Sequence, residues 1–355
     1  MKPEDEIYRK LIYDTAAHRI PFTIMCNLTH RCPLGCKHCY VVDPEGAGEE
    51  LTLAEYESLF DDLAAAGTLF LTFSGGDPLC RDDFLDIVAA GRERHFAVRV
   101  FTGALPMDES MARELAALHP IAVEISLHAA TPRLHDDFVG APGTWEHAVA
   151  ATRWLTEAGT RVVLKMNLMN FNCHELRELY ELAASLGAEF RYSPYVSVAN
   201  DGDPAAVTTR MSDEQLLEYF RTVKEWVPSL REGEVCDEEI ASSVRYNERA
   251  LSCLAGFNNC SIDPYGNVWP CVSLPIDLGN LREKSFDEIW RGERAEYVRG
   301  LGETVSEECA GCELDRYCFR CPAFSMLEEG DIKKRSYEHC RVARAAREVL
   351  KRPLR

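Results

Sequence analysis

Short apolar runs alternate along the chain with stretches whose apolar residues recur every three or four positions. The run from Pro21 to Leu28 reads as a strand. Thr52-Leu-Ala-Glu55 is a capping box that opens a helix, with Leu53, Tyr56, Leu59, Phe60 and Leu63 on one face and Gly67 at its end. A continuous apolar strand, Thr68 to Gly76, follows. The same alternation predicts helices at Asp82–Arg94, Glu109–Leu118, Trp145–Ala158 (Thr144 as N-cap) and Glu175–Leu186 (Asn172 as cap, Gly187 past the end). It predicts strands at Ala97–Thr102, Ile121–Leu127, Arg161–Leu168 and Glu189–Tyr195.

Six strands with intervening helices imply a parallel sheet with right-handed crossovers, either an open sheet or a partial barrel. In both, ligands gather at the carboxyl ends of the strands. Those ends carry Gly75-Gly76-Asp77-Pro78, Thr102-Gly103, Ser126 and His128, Lys165 and Asn167, and Arg191-Tyr192-Ser193. Beyond Tyr195 a long loop precedes helical segments at Ser212–Trp226 and Asp237–Ala250. The region from Cys253 has little regular period, apart from a turn at Asp263-Pro-Tyr-Gly266 and a short helix, Ser285–Arg291. The final segment, from Tyr337, reads as a helix.

Composition narrows the chemistry. Of 355 residues, 46% are hydrophobic and 27% charged, the balance of a globular protein; the net charge of −19 argues against general nucleic-acid binding. No apolar run approaches the roughly 20 residues that span a bilayer, and the charged start lacks a signal-peptide core. A cytoplasmic protein without a membrane is the expectation. In that reducing setting fifteen cysteines point to metal rather than disulfides. Cys32, Cys36 and Cys39 form one group. Cys253, Cys260 and Cys271 form another, and Cys309, Cys312, Cys318 and Cys321 are followed by Cys340. Cys26, Cys80, Cys173 and Cys236 stand apart and read as packing. Three thiolates at the spacing of Cys32, Cys36 and Cys39 fit a [4Fe–4S] cluster with one iron open to a small molecule better than zinc. The gap of five residues between Cys312 and Cys318 is far shorter than the roughly 15–20 of a zinc ribbon. The last third therefore also favours iron–sulfur.

Cys32-Pro-Leu-Gly-Cys36-Lys-His-Cys39-Tyr40 resembles the CxxxCxxC-aromatic signature of the radical S-adenosylmethionine (radical SAM) enzymes, and Gly75-Gly76-Asp77-Pro78 resembles their GGEP motif with Asp for Glu. Cys253, Gly266, Cys271, Cys309, Cys312, Cys318, Cys321 and Cys340 fit in order the SPASM extension of such enzymes. The resemblance implies a partial (β/α)6 TIM-like barrel with a C-terminal cysteine-rich iron–sulfur domain. Its expected divisions are an N-terminal segment (1–20), the barrel (21–200), a helical linker (201–252), the auxiliary-cluster domain (253–340) and a C-terminal helix (341–355).

It further implies SAM and three [4Fe–4S] clusters as cofactors. Cys32, Cys36 and Cys39 would hold the SAM-binding cluster, Cys253, Cys260, Cys271 and Cys321 one auxiliary cluster, and Cys309, Cys312, Cys318 and Cys340 the other. Gly75 and Gly76 would let the backbone approach the SAM ammonium, and Asp77, before Pro78, would face that ammonium or hold the loop. Tyr40 would border the adenine, Ser126 the ribose, and Lys165 the methionine carboxylate. The implied chemistry is reductive SAM cleavage to a 5′-deoxyadenosyl radical that abstracts a substrate hydrogen, with electrons from a flavodoxin or ferredoxin.

The region around His128–Leu176 resembles the peptide-maturase branch, including relatives of the pyrroloquinoline-quinone maturases, so a ribosomally made peptide is the expected substrate. Val272 stands where sulfatase maturases carry aspartate, which argues against formylglycine formation. About 20 residues before the first strand are too few for a leader-binding domain, so a separate leader-binding protein, or recognition without one, is expected. The alternatives are a radical SAM enzyme for a small metabolite or tetrapyrrole precursor, and a non-catalytic iron–sulfur electron-transfer or scaffold protein.

Overall fold

The computed structural model describes residues 3–42, 48–226, 253–302 and 308–351. The helix expected at 237–250, and Cys236 with it, lie outside them. All six expected strands form: β1 (Thr23–Thr29), β2 (Phe70–Gly75), β3 (Ala97–Thr102), β4 (Ala122–Ser126), β5 (Val162–Asn167) and β6 (Glu189–Ser193). They pair in parallel, each with its neighbour in sequence. Helices α2 (Leu53–Ala66), α3 (Phe84–Glu93), α4 (Glu109–Ala117), α6 (Thr144–Glu157) and α7 (Leu176–Ser185) connect them, with α1 (Pro3–Ala17) ahead of β1.

The Thr52 capping box is made on both sides, and Gly67 closes α2 at φ 92°. Such a cap contributes about 1 kcal/mol. At α6 the residue outside the helix is Gly143, with Thr144 inside it. The Asp136 carboxylate accepts from the Gly143 and Trp145 amides and takes the capping role expected of Thr144. Asp136 belongs to α5 (Pro132–Val139), an element absent from the sequence reading. Asn172 likewise does not cap α7: its Oδ1 accepts from the Met169 amide at 2.7 Å and its Nδ2 donates to the His128 carbonyl.

The alternation of β-strand side chains sets two faces. Ile24, Cys26 and Leu28, Leu71 and Phe73, Val98 and Val100, Val123 and Ile125, and Leu164 and Met166 pack under the helices in the main core. The opposite face is mostly polar, with Met25 and Val163 among its apolar members, and lines the concave side of a half-barrel. It carries Asn27, Thr72, Ser74, Arg99, Phe101, Glu124, Ser126, Lys165, Asn167, Arg191 and Ser193.

The cysteine-rich region does not form a separate sheet. β7 (Asn259–Ile262) pairs in parallel with β1, and β8 (Asn267–Trp269) and β9 (Gly279–Asn280) follow antiparallel. The result is one nine-stranded sheet in the order β6-β5-β4-β3-β2-β1-β7-β8-β9. The expected turn is present, with the Gly266 amide donating to the Asp263 carbonyl. The expected short helix spans Phe286–Trp290 and is followed by Glu293–Gly302. The C-terminal helix spans Tyr337–Leu350 and so includes Cys340. It packs on α8 (Asp213–Trp226), and Val342 and Ala346 of the one helix and Leu216 and Phe220 of the other are buried in the main core.

Candidate active site and cluster sites

The loop after β1 carries Cys32, Cys36 and Cys39, and three elements clamp it. The Gly35 amide donates to the Val139 carbonyl at the end of α5 (2.7 Å). Thr29 Oγ1 donates to Glu50, which also pairs with Arg31 and Arg81. The end of β2 comes closest: the Gly76 amide donates to the Thr29 carbonyl at 2.7 Å and the Asp77 amide to the Arg31 carbonyl at 2.9 Å. A Cβ on Gly75 would lie 2.1 Å from the Thr29 carbonyl oxygen, and one on Gly76 would lie 2.4 Å from that of His30. The two glycines therefore serve first to fit β2 against the cluster loop.

Asp77 is fully buried and holds the loop. Its carboxylate accepts from the Thr102 hydroxyl at 2.8 Å, the Gly103 amide at 2.9 Å and the Leu79 amide at 3.1 Å. Burial pushes its pKa up to about 6 against these donors. Pro78 starts the short 3-10 turn that follows.

Burial pushes the Cys32 thiol up to about 11 and the Cys36 thiol up to about 12; Cys39 adds to both, and Cys32 adds to Cys36. Cys80 also acts on Cys32. Among the described residues no three His, Cys, Asp or Glu side chains converge on a point that would hold one metal ion. Neighbouring buried thiols of this kind fit an iron–sulfur cluster, in which iron would replace the protons that burial retains.

Tyr40 follows, half-buried; burial pushes its phenol up to about 12, and Cys39 and then Cys271 add to this. Asn200 ties the same two loops together, donating from its amide to the Tyr40 carbonyl and from Nδ2 to the Val272 carbonyl. At the end of β4, the half-buried Ser126 pairs with Lys165 of β5 in the strand register. The anion beside Lys165 is a protein carboxylate: its Nζ lies 3.2 Å from Glu124 and 3.6 Å from the Phe101 ring centroid. His128 packs edge-on against His38 of the cluster loop and stacks with His135 of α5. Burial holds His128 well below the usual imidazole range, and brings His38 and His135 down to about 4, so this patch is neutral packing.

The C-terminal cysteines fall into two groups. Burial pushes Cys253 to about 12 and Cys271 to about 11, and Cys253 feels both Cys271 and Cys321. Cys340 feels Cys309 and Cys312. Cys318 lies in the same tight loop, its amide donating to the Asp315 carbonyl. Cys321 of the tight run acts on both Cys253 and Cys271.

Cys260 departs from expectation. It sits on β7 in register with Ile24, so its side chain enters the apolar core, 3% exposed, where the thiol it senses is Cys26. Cys271 follows Trp269, which pairs with Ser261 on the opposite face of β7. The structure therefore does not place Cys260 with Cys253, Cys271 and Cys321. Glu124 was missed in the sequence, although a carboxylate inside the apolar run Ala-Val-Glu-Ile is a signal of its own.

A half-barrel with three thiols on its first strand-end loop, and two further thiol groups beside it, has the donor set of an iron–sulfur protein. Residues 26–183 match the radical SAM superfamily and residues 253–313 match SPASM, an iron–sulfur cluster-binding domain. The chain thus carries a radical SAM domain and a SPASM domain, and these imply SAM and [4Fe–4S] clusters as its cofactors. It is 29% identical over 329 residues to the AdoMet-dependent heme synthase of Methanosarcina barkeri, covering 88% of this chain and 94% of that protein. It is 28% identical over 323 residues to the PqqA peptide cyclase of Granulibacter bethesdensis, covering 88% and 86%. Its fold is that of Streptococcus suis SuiB bound to S-adenosylmethionine (TM-score 0.69, 17% identity, 96% and 81% covered). It also matches anSMEcpe with bound AdoMet and Cp18Cys peptide (TM-score 0.72, 14% identity, 93% and 96% covered). No helix among the described residues is long and apolar enough to cross a membrane.

Proposed function

We propose that this radical SAM enzyme is a cytoplasmic peptide maturase that abstracts hydrogen from a ribosomally made peptide, drawing electrons from a flavodoxin or ferredoxin. The observation that carries the peptide reading is the open side of the half-barrel. β6 is an edge strand whose residues are exposed or half-buried, whereas β2 and β4 are almost wholly buried. An extended chain can enter along that edge and lie across the polar face. The likeness to PqqA peptide cyclases supports the same reading.

The bound and reduced cluster, with SAM, supplies a 5′-deoxyadenosyl radical as the hydrogen abstractor. Cys32, Cys36 and Cys39 would hold that cluster. Gly75, Gly76 and Asp77 fix the loop that would carry it, Tyr40 and Ser126 would flank SAM, and the surrounding strand ends would shield it from water. Cys253, Cys271 and Cys321, and Cys309, Cys312, Cys318 and Cys340, would hold the auxiliary clusters and give electrons a route from an oxidised substrate. A second reading, a tetrapyrrole precursor as substrate, is favoured by the likeness to heme synthases.

The test is anaerobic reconstitution, reduction with SAM, and mass spectrometry for 5′-deoxyadenosine. Candidate precursor peptides and a propionate-bearing porphyrin are then added separately. The proposal expects SAM cleavage and a mass change confined to a peptide. A change confined to the porphyrin establishes the second reading, and loaded clusters without SAM cleavage refute both.

A further inference from the structure

The concave face of the half-barrel carries a charge imbalance that the cluster loops do not use. Glu124 of β4 is 3% exposed. Three cations from three other strands surround it: Arg99 Nε of β3 at 3.2 Å, Lys165 Nζ of β5 at 3.2 Å and Arg191 Nη1 of β6 at 3.7 Å. One carboxylate therefore faces three positive charges. Glu189 on β6 also faces Arg191, but it brings Arg161 with it in a two-pronged pair at 2.6 and 2.7 Å, so two carboxylates face four cations and the excess stays. The cations keep an open side where Glu124 does not: the side chains of Arg99, Lys165 and Arg191 are 29%, 34% and 51% exposed. Arg99 Nε is itself buried and makes no hydrogen bond. Assigning Lys165 to the SAM carboxylate still leaves two guanidinium groups on one carboxylate. An excess of like charge inside a protein of net charge −19 is costly unless another anion offsets it.

We propose that Arg99, Lys165 and Arg191 form an anion subsite, in which a carboxylate of the substrate joins Glu124 as the second counterion. This rests on the reading that the half-barrel holds the substrate. Arg99, Glu124 and Arg191 each lie two or three residues before the end of their strands, about 7–10 Å below the strand-end layer. A short carboxyalkyl arm spans that depth. In a peptide it is an acidic side chain near the reacting residue; in a tetrapyrrole it is a propionate. Guanidinium forks recognise either in the same two-pronged way.

Calorimetry on the reconstituted holoenzyme with SAM, under nitrogen, tests this with two matched pairs. One is acetyl-Gly-Glu-Gly-amide against acetyl-Gly-Gln-Gly-amide. The other is a tetrapropionate porphyrin against its tetramethyl ester. The acid of one pair is expected to bind at least about tenfold more tightly than its neutral partner, the scale of a charge-assisted hydrogen bond. Arg191→Gln, or Arg99→Gln if the first does not fold, is expected to abolish that preference. Glu124→Gln is expected to enlarge it, because it removes the competing carboxylate; a purely structural ion cluster would not strengthen anion binding when broken. A preference in the peptide pair supports the subsite with a peptide arm. A preference in the porphyrin pair alone supports the subsite and turns the function to tetrapyrroles. No preference in either pair, or one unchanged in the arginine variants, overturns the subsite. SAM cleavage by the same preparation reports separately on the enzyme reading, so the two can fail independently.

Discussion

Gly76→Ala is the sharpest probe of how the cluster loop is held. A Cβ there would sit 2.4 Å from the His30 carbonyl oxygen and 2.5 Å from that of Arg31. Both obstacles are backbone, so relief requires β2 and the loop to separate by roughly 0.8 Å. That stretches the Gly76–Thr29 hydrogen bond from 2.7 Å and the Asp77–Arg31 bond from 2.9 Å to the limit of hydrogen bonding or past it. Two lost bonds at about 1 kcal/mol each, plus about 1–3 kcal/mol of overpacking, give a cost of about 3–5 kcal/mol. For a slope of about 3 kcal/mol/M, the urea midpoint falls by roughly 1 M or more. Iron after reconstitution should fall from about twelve per chain toward about eight, since the displaced loop carries one of three clusters. Gly300→Ala is the control. Nothing lies within 4 Å of its added Cβ, and its helix should gain about 0.5–1 kcal/mol. An unchanged midpoint and full iron in Gly76→Ala would refute the reasoning.

Cys260→Ala should keep about twelve irons per chain, whereas Cys253→Ala or Cys321→Ala should each lose about four; an iron deficit in Cys260→Ala would return that residue to the ligand set. Arg210 ties the segment after β6 to Glu328 and to Glu338, which is 1% exposed. Arg210→Met should cost about 3–5 kcal/mol in chemical denaturation, by leaving buried carboxylates short of a partner. Burial lowers His339 to about 3, helped by Arg210 and Arg320. The unfolded chain takes up that proton below about pH 6.5 and the folded one does not, so stability falls as pH drops. His339→Phe, which keeps an aromatic against Tyr195, should remove about 2 kcal/mol of that decline between pH 6.5 and 5. Parallel pH dependence in the two proteins would contradict it.

The barrel strands were legible because each has a local pattern: an apolar run between a helix stop and the next cap. α5 was overlooked at eight residues, although Pro132 at its start and Gly140 at φ 73° past its end mark it. β7 to β9 had no local signature because their partner, β1, is remote in sequence. Cysteine spacing shows which thiols are near in sequence but not which face of a strand a side chain takes, and so Cys260, expected with Cys253 and Cys271, lies in the core beside Ile24 instead. Glu124 was hidden by its apolar neighbours, and only strand register shows it meeting cations from three other strands.

The register Thr23↔Asn259 has a consequence for synthesis. At ribosomal rates of 5–20 residues per second, the partner of β1 emerges roughly 10–50 s after β1 itself. During that interval one edge of β1 is unpaired, and the adjoining cysteine loop hangs from a half-finished sheet. A nascent chain in this state offers a template for misassembly. Heterologous yield should therefore respond to slower growth and early iron supply more than to expression strength. A truncation before Asn259 would remove the cover of β1 along with the auxiliary thiols.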